Sequence, residues 1–107
     1  SNETGATNDI ASLSAGVKAI YPKIIFHSDG VQAFLKTDCS VKRLGVDLYS
    51  VSGHKIGAPK GIGALYISSK ITLRPFIFGG GQESGLRSGT ENTMGIEMFA
   101  YAADDWE

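Results

Sequence analysis

Residues 46–55 have the sequence VDLYSVSGHK, in which an apolar-polar run ends in a hydroxyl, an imidazole and an amine. The run predicts a β-strand over residues 47–52, and the IGAPKG that follows has little helix propensity. Because ligands in open α/β sheets bind outside the carboxyl ends of strands, Ser52, His54 and Lys55 are candidate site residues. A lysine after a strand is more often a solvated loop residue, but its amine can also condense with an aldehyde as a Schiff base.

Three strands and four helical segments are predicted along the chain. Apolar or alternating runs predict strands at residues 24–29, 47–52 and 63–68. Helical spacing predicts helices at residues 9–20, 30–36, 41–44 and 90–107. Asn8 or Asp9 would cap the first helix, and Thr90 or Asn92 the last. The link at residues 53–62 is short for a parallel crossover, so the fold class is α/β, with a mostly parallel sheet and an antiparallel third strand.

Composition limits the class of protein. The 107 residues allow at most one domain, and 42% hydrophobic and 20% charged residues are typical of a globular protein. A net charge of −1 gives no sign of binding to nucleic acid or to an anionic membrane, and no apolar run of about 18 residues could span a membrane. Cys39, the one cysteine, excludes an internal disulfide and suits a reducing compartment, so a cytoplasmic location is expected.

The chain is expected to be a fragment. It does not begin with methionine, and 14 glycines in 107 residues are dense for a complete domain. They cluster between Gly53 and Gly95, as in a site that is built from loops. Residues 1–107 are therefore predicted to form part of a larger domain, without a complete second domain.

Polar side chains also follow the predicted strand at residues 24–29, in the pattern His27-x-Asp29-x-x-Gln32. Asp29 and Gln32 fit a helix-capping pattern, which is the more frequent explanation of such residues. The lysine and histidine after the neighbouring strand favour a binding site instead. A carboxylate opposite a lysine-bound aromatic aldehyde can keep a pyridine nitrogen protonated, which is the arrangement expected for pyridoxal phosphate.

The glycine-rich segment at residues 79–90, GGGQESGLRSGT, resembles a phosphate cradle but lacks the known nucleotide signatures. A P-loop requires lysine where this segment has Leu86. Arg87, Ser88 and Thr90 precede a predicted helix, where their side chains suit a bound phosphate. A mobile surface loop followed by a capped helix is the alternative. No metal site is predicted, and Cys39 is interpreted as a structural thiol because no histidine lies close to it in sequence.

Four motifs follow one another along the chain: NETG at residues 2–5, HSDGVQ at 27–32, SGHK with PKG between 52 and 61, and GGGQE with RSGTEN between 79 and 92. This combination resembles cysteine desulfurases, which belong to the class V aminotransferase family of pyridoxal phosphate enzymes. The RSGTEN motif is similar to the group that feeds iron–sulfur cluster and tRNA thiolation pathways. Selenocysteine lyases share much of the pattern and remain an alternative.

The resemblance implies a fold, an activity and partners. The fold would be the large domain of the fold-type I aminotransferases. The enzyme would convert L-cysteine to L-alanine with pyridoxal 5′-phosphate as its cofactor. Its full-length form would be a homodimer that delivers persulfide sulfur to an acceptor or scaffold protein. A non-catalytic module that binds a phosphate metabolite through residues 79–90 is the alternative, and such a module would fold alone.

The resemblance also implies roles for individual residues. Lys55 matches the lysine that binds the cofactor aldehyde and acts as the catalytic base. Asp29 matches the partner of the pyridinium nitrogen, and Gln32 matches the residue that hydrogen-bonds the ring hydroxyl. These three residues would hold and activate the ring.

Other matched residues would hold the phosphate and the substrate. Ser52 and His54 match phosphate ligands, and Thr90 matches a phosphate ligand that is donated across a homodimer interface. Asn2 matches an asparagine near the cofactor and the substrate carboxylate. The nucleophilic cysteine and the carboxylate-binding arginine of the family would lie outside this chain, and Cys39 does not match that nucleophile.

Overall fold

The computed structural model describes residues 1–106. Its helices are α1 (Ile10–Ile20), α2 (Val41–Leu44) and α3 (Thr93–Asp104). Its strands are β1 (His27–Asp29), β2 (Leu48–Ser52) and β3 (Gly63–Ile67). Two short 3₁₀ turns cover Gly53–Ile56 and Glu83–Gly85. No helix within the described residues is long and apolar enough to cross a membrane.

The three strands form one sheet in the order β1-β2-β3. β1 pairs with β2 in parallel, and Asp29 lies opposite Ser50. β3 runs antiparallel to β2, so the predicted direction of the third strand is confirmed. Since β1 and β2 are parallel neighbours, their carboxyl ends lie at the same edge of the sheet. Most candidate site residues lie at or just after these two strand ends.

Side chains cap both long helices. Asp9 accepts a hydrogen bond from Ser12 N at 3.0 Å and begins α1, as one of the two predicted caps. Asn92 accepts a hydrogen bond from Gly95 N at 3.0 Å and begins α3. Each cap satisfies a backbone N–H that has no partner inside the helix. Asn92 rather than Thr90 is therefore the cap, and the last helix begins later than residue 90.

Three predicted elements are wrong in extent or type, and one of them is the last helix, which spans Thr93–Asp104. Residues 30–36 form successive turns instead of a helix, and Leu35 has φ = 61°, which a right-handed helix does not allow. β1 begins at His27 instead of residue 24. Ile24 N donates to the carbonyl oxygen of Tyr21 at 2.9 Å, and Phe26 N donates to the Asp47 side chain at 2.9 Å, so neither N–H donates to the backbone of a neighbouring strand.

The described residues bury a small apolar core. Its members are Val46, Tyr49, Ile56 and Ala58. Many large apolar side chains are exposed instead, most of all Phe76 and Phe78, at 93% and 80%.

Asp47 links α1 to the sheet. Its Oδ2 lies 2.8 Å from Lys18 Nζ, in addition to the hydrogen bond from Phe26 N. The Lys18 ammonium, followed by the Phe26 N–H, holds the pKa of the Asp47 carboxyl below its ordinary value. A carboxyl with a lowered pKa in the folded state stabilises the fold above its unfolded pKa of about 3.9, and this contribution is lost as the pH falls through the lowered value.

Asp47→Asn is expected to lower the free energy of unfolding by about 1–2 kcal/mol near neutral pH, because the charged partner of Lys18 is lost. The difference from the wild type should shrink as the pH falls and Asp47 becomes protonated. Urea unfolding of both proteins over a range of pH checks this. The exposed Asp38–Arg43 pair supplies the control: Asp38→Asn should have a smaller effect. Equal effects of the two variants would contradict the assignment.

Candidate active site

The carboxyl ends of β1 and β2 carry the polar residues of the site. β1 ends at Asp29, and β2 ends at Ser52. The 3₁₀ turn Gly53–Ile56 follows β2 directly and carries His54 and Lys55. It ends at Gly57, whose φ of 91° favours glycine and lets the chain turn back toward β3.

A cleft of about 400 Å³ opens at this edge of the sheet. The residues that line it are Ser1, Asn2, Asp29, Val31, Gln32 and Lys55. Four of the seven predicted site residues therefore meet around one space, although they come from three separate parts of the chain. Ser52, His54 and Thr90 do not line the cleft within the described residues.

Asn2 connects the amine and the amide of the cleft. Its Oδ1 accepts a hydrogen bond from Lys55 Nζ at 3.3 Å and another from Gln32 Nε2. One carbonyl oxygen thus holds side chains that are far apart in sequence. The N-terminal segment thereby lines the same cleft as Gln32 and Lys55.

Asp29 is fixed by its own backbone turn and by tight packing behind it. Its Oδ1 accepts a hydrogen bond from Val31 N at 2.9 Å, so it makes a turn and does not cap a helix. A Cβ on Gly30 would lie 1.9 Å from Tyr49 Cζ, and Tyr49 is only 4% exposed. Because the buried ring has no room to move aside, the residue after Asp29 must be glycine. Burial, with smaller contributions from Cys39 and Asp29, raises the pKa of the Tyr49 hydroxyl, which keeps it protonated.

Ser52 and His54 form a second polar pair beside Lys55. Ser52 Oγ and His54 Nδ1 are 2.7 Å apart. His54 is exposed and Ser52 is half-buried. A hydroxyl and an imidazole can both donate hydrogen bonds to one anion.

Thr90 stays apart from the cleft within residues 1–106. It is exposed, and it lies two residues before the Asn92 cap of α3. The glycine-rich segment before it is held by its own side chains: Gln82 Oε1 accepts from Gly89 N at 3.0 Å, and Ser88 Oγ accepts from Gly81 N at 3.4 Å. These two hydrogen bonds fold the segment back on itself.

One polar contact near the site has no signal in the motifs. His27 Nε2 lies 3.1 Å from Ser50 Oγ, and Ser50 is opposite Asp29 in the sheet. Because side chains alternate along a strand, His27 and Asp29 lie on the same face of β1. Ser50 pairs with Asp29, so a known register of β1 and β2 would have indicated that His27 lies near Ser50. Among residues 1–106, no group of three or more His, Cys, Asp or Glu side chains could hold a metal ion. Cys39 is half-buried and does not line the cleft.

Known proteins resemble this chain in sequence and in fold. The family model described as aminotransferase class-V matches residues 1–106. Cysteine desulfurase 2 of Trichormus variabilis is 45% identical over 103 residues, which are 96% of this chain and 25% of that protein. Cysteine desulfurase IscS of Plasmodium falciparum is 48% identical over 105 residues, which are 95% of this chain and 19% of that protein.

Solved structures agree with these relatives. A NifS-like protein from Rickettsia africae has a TM-score of 0.88 and 44% identity, over 95% of this chain and 28% of its own. The structure of SspA in complex with cysteine has a TM-score of 0.89 and 41% identity, over 98% of this chain and 30% of its own. The chain thus spans about a quarter of the length of the curated relatives, 25% in the Trichormus protein.

Proposed function

The chain belongs to the class-V aminotransferase family, and on that premise we propose that it forms the cofactor-holding part of a pyridoxal phosphate-dependent cysteine desulfurase. The observation that carries the proposal is the cleft in which Asn2 joins Lys55 to Gln32 and which Asp29 also lines. The names of the relatives, and the cysteine bound in one solved neighbour, support L-cysteine as the substrate.

The donors of the cleft fit pyridoxal phosphate. Lys55 offers an amine for the aldehyde, Asp29 a carboxylate for the ring nitrogen, and Gln32 an amide for the ring hydroxyl. Ser52, the last residue of β2, and His54, on the same turn as Lys55, offer a paired hydroxyl and imidazole for the phosphate. When bound, pyridoxal phosphate supplies an electron sink for negative charge at the α-carbon of an amino acid.

Each residue then has a defined task. Asp29 would accept a hydrogen bond from the protonated ring nitrogen and would stabilise its positive charge. Asn2 holds Nζ of Lys55 at the cleft, and Nζ removes the α-proton of cysteine as a general base. Ser52 and His54 would hold the phosphate and thereby orient the ring relative to Lys55.

The sulfur of the substrate cysteine is transferred to a thiol that lies outside these 107 residues. The Cβ–S bond of cysteine breaks, a proton takes the place of the sulfur on Cβ to give alanine, and the sulfur joins a cysteine thiolate as a persulfide. Cys39 does not line the cleft, which supports assigning that thiolate to another part of the protein. The RSGTEN motif at residues 87–92 supports iron–sulfur cluster or tRNA thiolation pathways as the destination of the sulfur.

The activity is tested with the full-length protein, L-cysteine and a thiol reductant. Alanine and sulfide are expected in equal amounts, because the reductant releases the sulfur of the persulfide. Selenocysteine and a transamination acceptor are supplied in parallel assays. Formation of a keto acid in place of alanine, or turnover of selenocysteine alone, would contradict the proposed activity.

We further propose that the full-length protein is a homodimer in which Thr90 completes the phosphate site of the partner subunit. Thr90 is exposed, and the resemblance of the RSGTEN motif to that of cysteine desulfurases supports a role in the other subunit.

Thr90→Ala is expected to weaken cofactor binding by about ten- to a hundredfold, because a hydrogen bond to a charged group contributes about 1.5–3 kcal/mol. The dissociation constant of pyridoxal phosphate, titrated against the cofactor-free full-length protein, measures this change. An unchanged constant would remove Thr90 from the phosphate site.

Mixed dimers locate Thr90 in one subunit or the other. In a dimer of one Lys55→Ala subunit and one Thr90→Ala subunit, a role across the interface leaves one site with both residues intact and one with neither. A role within the subunit leaves each site with a single defect. We expect half of the sites in the mixed dimer to bind pyridoxal phosphate with wild-type affinity. If no site binds with wild-type affinity, Thr90 does not act across the interface.

A further inference from the structure

The turn that carries Gln32 has two sides. Val31 and Gln32 line the cleft. Phe34 and Leu35, on the other side, contact the C-terminal part of the described chain. The turn at residues 30–36 is therefore held between the candidate active site and α3.

The contacts behind the turn come from Phe99 in α3 and Trp106 just beyond it. The rings of Phe34 and Phe99 pack edge to face, with centroids 6.1 Å apart and planes at 71°. Trp106 Nε1 donates a hydrogen bond of 3.0 Å to the carbonyl oxygen of Leu35. The ammonium of Lys36 lies 5.9 Å from the centroid of the Trp106 ring, within the range of a cation–π contact.

The hydrogen bond from Trp106 reaches the one residue of the turn that has an unfavourable backbone. Leu35 has φ = 61°, a conformation that is uncommon for a bulky side chain. Such a conformation persists only where the surrounding structure enforces it. The turn itself supplies backbone hydrogen bonds to residues 33, 34, 36 and 37, and the contact to the Leu35 carbonyl comes from Trp106.

We propose that Trp106 is a positioning residue for Gln32. By holding Leu35 in its unusual conformation, Trp106 keeps the preceding residues of the turn against the cleft, where Gln32 meets Asn2. This inference rests on the proposed function, because the ligand that Gln32 orients is the ring of pyridoxal phosphate.

Trp106→Phe in the full-length protein removes the N–H donor and keeps an aromatic ring beside Lys36. The dissociation constant of pyridoxal phosphate is expected to rise about three- to tenfold, as for the loss of one neutral hydrogen bond. The pH midpoint of the visible absorption band of the bound cofactor should also shift in the same direction as in Gln32→Ala. Tyr101→Phe is the matched control, since it removes one polar group from an exposed aromatic residue of α3.

A double-mutant cycle separates positioning from general stability. Gln32→Ala combined with Trp106→Phe should bind pyridoxal phosphate little more weakly than Gln32→Ala alone, because Trp106 acts through Gln32. Additive losses, or an unshifted pH midpoint in Trp106→Phe, would overturn the inference. Lys36→Met gives a second test, which removes the cation over the Trp106 ring and keeps the indole N–H. This variant should change the cofactor affinity and the pH midpoint in the same direction as Trp106→Phe, but by less. A larger change than in Trp106→Phe would also overturn the inference.

The cycle distinguishes this inference from the function on which it rests. If the wild-type protein binds no pyridoxal phosphate, the proposed function fails and the inference fails with it. If the wild type binds the cofactor and Trp106→Phe binds it equally well with an unchanged midpoint, only the role of Trp106 is refuted. Thermal unfolding of the cofactor-free proteins measures any change in folding stability, independently of the cofactor affinity and the pH midpoint.

Discussion

Lys55→Ala is expected to slow the formation of alanine from cysteine by about a hundred- to ten-thousandfold, the range for loss of a positioned general base. Lys55 is the residue of the cleft lining that has a side-chain amine, and this amine donates a hydrogen bond of 3.3 Å to Asn2 Oδ1. The loss should persist at saturating pyridoxal phosphate, because it removes a reacting group and not only a binding contact. Single-turnover assays with added cofactor measure it directly.

Lys60→Ala is the matched control for Lys55→Ala. Lys60 is exposed, follows Pro59 and does not line the cleft, so its removal should leave the rate within about twofold. Borohydride reduction of the cofactor-loaded protein and peptide mapping give an independent test of the same assignment. The pyridoxyl group is expected on Lys55, and a label on Lys60 would contradict the proposed active site.

Local sequence patterns predicted the three strands and the direction of the third, although β1 is shorter than predicted. The short link at residues 53–62 favoured an antiparallel third strand, and β3 confirms it. The polar residues at the ends of β1 and β2 follow from the strand pattern and the parallel pairing. The resemblance to cysteine desulfurases is confirmed by relatives of that name. The α/β fold class agrees with the solved structures of similar fold.

The turn at residues 30–36 could not be predicted, because its shape is set by a distant residue. Val31, Phe34 and Leu35 are spaced as in a short helix. The bond from Trp106, 71 residues away in sequence, holds Leu35 in the left-handed region. A tertiary contact thus overrides a weak local preference.

The site was only partly predictable for a related reason. Asn2, Asp29, Gln32 and Lys55 belong to recognisable motifs, and they meet in the cleft. Their roles toward a cofactor remain predictions, as do those of Ser52, His54 and Thr90. The contact of His27 with Ser50 depends on the strand register, which residue types alone do not specify.

Asp29→Asn is expected to slow alanine formation by about a hundred- to thousandfold, as for the loss of one preorganised electrostatic contact to a charge that the reaction requires. An amide of nearly the same shape can still accept the hydrogen bond from Val31 N, so the turn and the thermal stability should be preserved. The charge that keeps a ring nitrogen protonated is lost, however. The rate should therefore fall much more than the affinity for pyridoxal phosphate.

The variant Gly30→Ala distinguishes this electrostatic effect from a displaced side chain. An added Cβ would collide with the buried Tyr49 ring, so this variant should lose thermal stability as well as activity. Asp29→Asn should lose activity alone, because nothing is added behind the turn. If Asp29→Asn keeps the wild-type rate, the carboxylate has no electrostatic role in the reaction, and if it loses stability to the same extent as Gly30→Ala, its role is structural. The electron sink would then have to be stabilised by another residue.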